Sequence, residues 1–207
     1  MTETGDEAMR QPEYWNHNTA YYPWVASRLR GCRSVLDVGC GDGTLLAFLD
    51  DGTRTLAGLD PDADCIRRAS ARCASEAVQL RCDGFERFTP EETFDGVVFV
   101  ASLHHMEQDA ALIRAKAMLN PGGKLIVVGL FSPSGACDWL LEGLRVLPCL
   151  VISKLRRMHT CESEAIPVSY ALPKLNDVRA SAKRLLPGAR LRQGLFYRYL
   201  LEWTKPE

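Results

Sequence analysis

Short apolar runs alternate with amphipathic stretches along most of the chain. SVLDV at Ser34 to Val38, TLAGL at Thr55 to Leu59 and VQLRC at Val78 to Cys82 are brief and rich in Val and Leu, as strands are. Between them, Thr44 to Leu49 and Asp62 to Ala77 read as helices. In the second, Ile66, Ala69, Cys73 and Ala77 share one face at helical spacing, while Arg67, Arg68 and Arg72 point elsewhere. The alternation continues through a strand at Asp95 to Ala101, a helix at Asp109 to Leu119, a turn at Asn120-Pro121-Gly122-Gly123 and a strand at Lys124 to Phe131. Upstream, Pro23 suits a first helical turn and Gly31 the position past a helix end, which predicts a short helix over Trp24 to Arg30.

Strands that alternate with helices need crossover connections, so the pattern predicts an α/β fold with a mostly parallel sheet covered on both faces. Residues 132–172 break the rhythm as a longer, less regular insertion. Beyond it lie a helix at Leu175 to Leu186, a break at Pro187-Gly188, and two strand-like runs, Ala189 to Phe196 and Arg198 to Thr204. Only the tight connection at Tyr197 separates those runs, so they form an antiparallel pair at one side of the sheet.

Composition narrows the function classes. A length of 207 residues suits one domain, here 14–207, behind an acidic tail at 1–13 expected to be disordered. With 46% hydrophobic residues, 25% charged residues and a net charge of -1, the chain lacks the basic surplus of a nucleic-acid binder, and no such partner is expected. Eight cysteines are scattered without a CxxC pair or a zinc-like Cys/His spacing, so the expectation is free thiols in a reducing cytoplasm and no metal site. The tail carries neither the positive start nor the apolar stretch of a secretory signal. Trp139 to Leu155 is interrupted by Glu142, Arg145 and Pro148 well short of the ~18 apolar residues that span a bilayer. Lys154, Arg156 and Arg157 leave open a membrane-surface contact, against the reading of an ordinary cap helix that the expectation favours.

The chemistry gathers in VLDVGCGDGTLL, Val35 to Leu46, where a buried strand runs into Gly39, Gly41 and Gly43. Residues without side chains let a ligand approach the backbone before the next helix begins. The dinucleotide fingerprint wants a third glycine where Thr44 stands, so no pyrophosphate grip is evident and a nicotinamide-dependent oxidoreductase is disfavoured. Asp37, inside the strand, suits a cationic amino group better than a phosphate; it also fits a core-edge carboxylate capping the turn. Asp60 closes the next strand, where a carboxylate accepts ribose hydroxyls; it also fits a cap for the following helix. The ligand so described has a ribose and an ammonium but needs no phosphate.

On these residues the sequence resembles the class I S-adenosylmethionine (SAM)-dependent methyltransferase family, over nearly all of Tyr14 to Pro206. Further matches are LRCDGFERF, FDGVVFVASLHHM, similar to the family's fourth strand and the segment after it, and LNPGGKLIVVGLF, similar to its fifth strand and turn. The WNHN string at Trp15 to Asn18 and the closing RYLLEWTKP are similar to a bacterial subgroup of small methyltransferases. The resemblance implies a Rossmann-like, doubly wound, seven-stranded sheet with an antiparallel C-terminal strand, plus a small helical cap. It also implies SAM as cofactor: Gly39 to Gly43, with Cys40 and Gly41, under the methionine part, Asp37 beside it, Asp60 on the ribose, and Asp83 with Gly84 at the adenine. Pro61, Ala101, Trp15 and Asn18 complete the implied cofactor site.

His104 and His105 are the candidate catalytic bases, against a structural or pocket-shaping role, and His17 is a further one. Tyr14, Trp15, Tyr21, Tyr22 and Trp24 either pack as a lid over 14–31 or form an ordinary packing stripe. Methyl transfer from a sulfonium is an in-line displacement that needs alignment and exclusion of water rather than a metal or a covalent nucleophile. The leucine- and valine-rich insertion points to a small, partly apolar methyl acceptor. The alternative is a catalytically idle SAM-binding partner or sensor. Oligomeric state is not legible in the sequence.

Overall fold

The computed structural model describes residues 12–133, Lys154 and 172–207. Lys154 apart, the apolar segment Trp139 to Leu155 lies outside the described residues, as do most of the cap expected over 132–172 and the tail before Pro12. No helix among the described residues is long and apolar enough to cross a membrane.

Seven strands form one sheet in the order β3-β2-β1-β4-β5-β7-β6: β1 (Ser34–Val38), β2 (Thr55–Asp60), β3 (Val78–Cys82), β4 (Phe94–Val100), β5 (Leu119–Leu130), β6 (Arg190–Gln193) and β7 (Arg198–Thr204). β1 to β5 run parallel, and β7 enters antiparallel between β5 and β6. The expected C-terminal antiparallel pair is present, and its second strand is also the one that joins the sheet. The chain winds outward from β1 to β3 and then returns to place β4 on the other side of β1. That reversal opens a crevice at the carboxyl ends of β1 and β4, where sheets of this kind bind ligands.

Successive strand residues serve opposite layers, because side chains alternate across a pleated sheet. Leu36, Val97, Val127 and Leu201 pack with α4 (Gln108–Ala117) and α5 (Leu175–Leu185). Val35, Val98, Val128 and Leu200 pack with α1 (Tyr22–Arg28) and α2 (Thr44–Leu49), joined by Ile66 of α3 (Ala63–Arg72). Both faces are thereby covered, as a parallel sheet requires.

Three boundaries depart from the hydrophobic pattern for physical reasons. α3 starts behind an Asp62 cap that accepts from the backbone N–H of Asp64 at 2.8 Å, but it stops at Arg72 instead of Ala77. Leu56 donates to the Ala77 carbonyl at 2.8 Å, so 73–77 must turn the chain into β3, and the Ser75 hydroxyl takes the Ala77 N–H. Asn120-Pro121-Gly122-Gly123 is a bulge within β5 and not a turn before it: Leu119 already pairs with Phe94, and pairing resumes at Lys124 opposite Gly96. Gly122, at φ +73°, supplies the left-handed backbone there. α1 begins earlier than expected, at Tyr22, behind a 3-10 turn over Thr19–Tyr21.

Candidate functional site

At the carboxyl end of β1 the chain folds back tightly. Gly39 and Cys40 both donate to the Leu59 carbonyl, at 2.7 and 3.0 Å, which ties the loop to the end of β2. Gly39 has φ +72°, and a side chain there would meet the Ser102 Cβ at 2.5 Å. Ser102 in turn donates to the Val38 carbonyl at 2.5 Å, so β1 and the segment after β4 touch through atoms a larger residue would displace. Gly43 is similarly pressed, with Ala69 of α3 3.0 Å from where its Cβ would stand. Gly41 differs: at φ +54° it has nothing within 4 Å on that side, so its backbone faces open space.

Two carboxylates sit below this loop. Asp37 is 2% exposed, and burial together with the nearby Asp60 charge pushes its pKa up to about 7. Asp60 is also buried; its two oxygens accept from Gly41 N–H and Asp62 N–H, each at 2.9 Å. Neither is paired with a cationic side chain among the described residues. A buried pair of like charges favours a cation or a proton between them.

The other residues anticipated around the cofactor are distributed as follows. Cys40 is buried with its sulfur toward Gly58, and desolvation raises its thiol pKa steeply, so it offers the site backbone and not a thiolate. Pro61 is exposed after β2, its carbonyl facing the Cys82 thiol. Asp83 accepts from its neighbours, Gly84 N–H at 2.8 Å and Arg87 Nε at 3.0 Å, as a turn-forming carboxylate does. Ala101 follows β4 in a left-handed conformation, φ +55°, and its N–H donates to the Val128 carbonyl at 2.8 Å. A non-glycine held there costs roughly 1 kcal/mol, a strain often found at sites that do chemistry.

Across the sheet, residues 13–21 form a strap whose two ends are fastened to different places. At one end Tyr14 shares a 3.0 Å hydrogen bond with Thr44, and Glu13 pairs with Arg72 at 3.0 Å; Arg72 also pairs with Asp42 of the glycine loop at 2.7 Å. At the other end the Tyr21 hydroxyl donates to the Leu195 carbonyl at 2.9 Å and accepts from its N–H at 2.6 Å. Between them His17 stacks on Phe196 at 4.2 Å and 12°, and Trp15 meets the same ring edge-on at 5.8 Å. Asn18 accepts from Arg198 at 2.7 Å. Trp15 and Asn18 are thus both engaged with the β6–β7 hairpin. Glu13, assigned to the tail by composition, belongs to the strap.

That hairpin closes through Leu195 to Arg198, with Phe196 and Tyr197 at φ +58° and +55° and a 3.2 Å bond from Arg198 N–H to Leu195. The geometry is that of a turn that prefers Asn-Gly, here carried by two aromatic residues.

His104 and His105 form a 3-10 turn with Leu103 after β4, their rings 3.9 Å apart. His104 Nδ1 is buried with no hydrogen-bond partner among the described residues. Desolvation, the neighbouring His105 and the Arg198 charge push its pKa down to about 4, so it is neutral at pH 7. His17 is shifted down as well, by burial and by Arg198. His105 instead lines a groove of about 750 Å³ with Phe85, Met106 and α4. Sequence reasoning missed Arg198 and Ser102; a lone arginine heading the apolar run RYLLEWT was the available signal for the first.

A family model described as a methyltransferase domain matches residues 35–123. An uncharacterized methyltransferase of Mycobacterium tuberculosis is 36% identical over 203 residues, covering 96% of this chain and all of the relative. The fold is shared with the N-methyltransferase NodS of Bradyrhizobium japonicum in complex with S-adenosylhomocysteine (SAH), at 17% identity and TM-score 0.65 over 99% of this chain and 94% of that one. It is also shared with a SAM-bound amino pentose methyltransferase of Micromonospora echinaspora, at 16% identity and TM-score 0.65 over 90% of each chain. Full-length identity to a methyltransferase, joined to this strand order and a glycine loop at its switch point, makes the chain a member of the class I SAM-dependent methyltransferase family.

Proposed function

We propose that the protein transfers a methyl group from SAM to a small, partly apolar acceptor held beneath the strap, between His104 and the β6–β7 hairpin. The observation that carries this reading is the strap, pinned to the glycine loop at Tyr14 and to the hairpin at Tyr21. A roof fastened at both ends and lined by Trp15, His17 and Phe196 suits a small molecule better than the surface of a macromolecule. The absence of a basic surplus argues against a nucleic-acid partner, and the unpaired thiols Cys32, Cys40, Cys65, Cys73 and Cys82 fit a cytoplasmic setting.

The residues present fit the cofactor. The open face of Gly41 leaves bare backbone for a ligand, and the uncompensated Asp37–Asp60 pair suits a group bearing a positive charge. Asp37 would sit on the ammonium side, Gly39, Cys40 and Gly41 would offer backbone to the methionine part, and Asp60 would accept the ribose hydroxyls with lone pairs its two amide contacts leave free. Pro61, Asp83, Gly84 and Ala101 would border the nucleoside and the methyl end. SAM supplies an electrophilic methyl carbon on a sulfonium. The chain's own part is to align the acceptor and keep water out. A neutral His104 can take a hydrogen bond or a proton from the acceptor, but with a pKa near 4 it is a weak base, which favours an acceptor that is already nucleophilic.

The test is to incubate the protein with methyl-labelled SAM and a cell extract and then separate small molecules from macromolecules by ultrafiltration. The expected result is protein-dependent label in a filtrate species that chromatography separates from unreacted SAM. Labelled product confined to retained protein or nucleic acid contradicts the proposal, and SAH binding with label only in unreacted SAM supports an idle SAM-binding protein instead.

A further inference from the structure

Arg198 is a buried cation without an anion among the described residues. It is 8% exposed and makes no ion pair with a carboxylate among the described residues. Among the described residues two of its five N–H groups find acceptors: one on Nη1 donates to the Phe196 carbonyl at 3.0 Å, and one on Nη2 to the Asn18 amide oxygen at 2.7 Å. Nε, also buried, has no partner among them. Burying a guanidinium against neutral acceptors alone is costly, and desolvation lowers its pKa to about 10. Its charge reaches both His17, on the strap, and His104, in the turn after β4.

The surroundings look arranged to hold this cation in place. Arg198 heads β7 opposite Leu130, at the carboxyl end of β5, directly after the two left-handed aromatic residues of the hairpin turn. Such backbone is strained for residues with side chains, and proteins keep strain where geometry matters. Arg198 is three strands from β1, about 14 Å across the sheet, away from the loop where the donor would bind.

We infer that Arg198 is the recognition residue for a carboxylate on the methyl acceptor, which would take the Nε and Nη2 edge of the guanidinium while the Asn18 amide oxygen yields its place. The inference rests on the acceptor site proposed above. A carboxylate matches that edge with two parallel hydrogen bonds, as a neutral amide oxygen does not. One guanidinium flanked by neutral imidazoles balances a single negative charge, whereas a phosphate dianion would leave charge uncompensated. Asn18 lies on the strap, so carboxylate binding and strap position are coupled: the strap fills one arm of the fork until the acceptor arrives.

The experiment uses SAH-loaded protein, with SAH affinity measured first so that failure of the cofactor reading is seen separately. Acetate, octanoate and benzoate are titrated beside acetamide, octanamide and benzamide by calorimetry. The expected result is that at least one carboxylate binds about tenfold or more tightly than its amide. Arg198→Met should abolish that preference and leave SAH affinity within about twofold. Asn18→Asp, nearly isosteric, should place the strap's own carboxylate on the fork, weaken the carboxylate probe about tenfold and leave its amide counterpart unchanged. Should Arg198→Met fail to fold, the Arg198 Nε–H resonance of the wild type gives the same answer, moving with the carboxylate and not with the amide. No carboxylate preference in the wild type, a preference that survives both substitutions, or loss of SAH binding in a folded Arg198→Met protein would overturn the inference; the last would assign the arginine to the donor's carboxylate.

Discussion

The carboxyl edge of the sheet has two halves built by different means. Over β1 and β2 the site is made of backbone: three glycines with positive φ within five residues, and carboxylates at the ends of adjacent strands. Over β4, β5 and β7 it is made of side chains gathered from the strap, the segment after β4 and the C-terminal hairpin, with contacts such as Tyr21 to Leu195 spanning 174 residues. The first half is rigid because its loop is tied to the end of β2 and crowded by Ser102 and Ala69. The second is held by a few hydrogen bonds and ring contacts; under the proposed function it is the half that takes the acceptor, beside the half proposed for the donor.

The largest expected effect breaks the donor half directly. Gly39→Ala combines a left-handed backbone with a clash against Ser102, and should cost several kcal/mol or prevent folding, read as a fall in thermal midpoint. Gly41→Ala sharpens the contrast. With open space around it, the protein should stay folded, losing about 1 kcal/mol to backbone strain, while SAH affinity falls tenfold or more because the new methyl stands where the ligand would lie.

Next comes pH dependence. Folded Asp37 keeps its proton up to about pH 7, whereas unfolded it loses it in the ordinary carboxylate range. Between those values the folded state binds more protons, so apo stability falls as pH rises. An ammonium group such as that of SAH, placed beside Asp37, favours the ionised form, so SAH affinity should rise with pH toward 7, by up to about tenfold per unit, with proton release detectable through buffer-dependent binding heats. Asp37→Asn should flatten both trends and weaken SAH.

The acceptor half should respond more gently. Tyr21→Phe removes both bonds to Leu195 and should cost about 1 kcal/mol, raising acceptor KM severalfold with SAH affinity unchanged. Smallest of all, Tyr197→Gly at an exposed left-handed position should raise the thermal midpoint slightly, by the equivalent of up to about 1 kcal/mol.

The same contrast explains what could be read from the chain alone. β3, β7 and α2 follow the hydrophobic pattern to the residue, and the glycine loop with Asp37 and Asp60 stands out because local backbone demands leave local residue types. Where neighbours decide, the pattern loses track: α3 stops early because β3 must align with β2, and Asn120 to Gly123 is absorbed into β5 as a bulge. Arg198 stands out only as a lone arginine heading the apolar run RYLLEWT, and that run does not reveal its partner, Asn18 of the strap, 180 residues away. The Phe196-Tyr197 turn lacks the Asn or Gly that would have announced its conformation.

The most direct test of the account is calorimetric titration of SAH into the wild type and Asp60→Ala at neutral pH, with thermal unfolding of both followed alongside. The account predicts saturable one-to-one binding to the wild type and at least tenfold weaker binding to Asp60→Ala, with the variant still folding cooperatively. Failure of the wild type to bind SAH, or equal affinity in the two proteins, would contradict it.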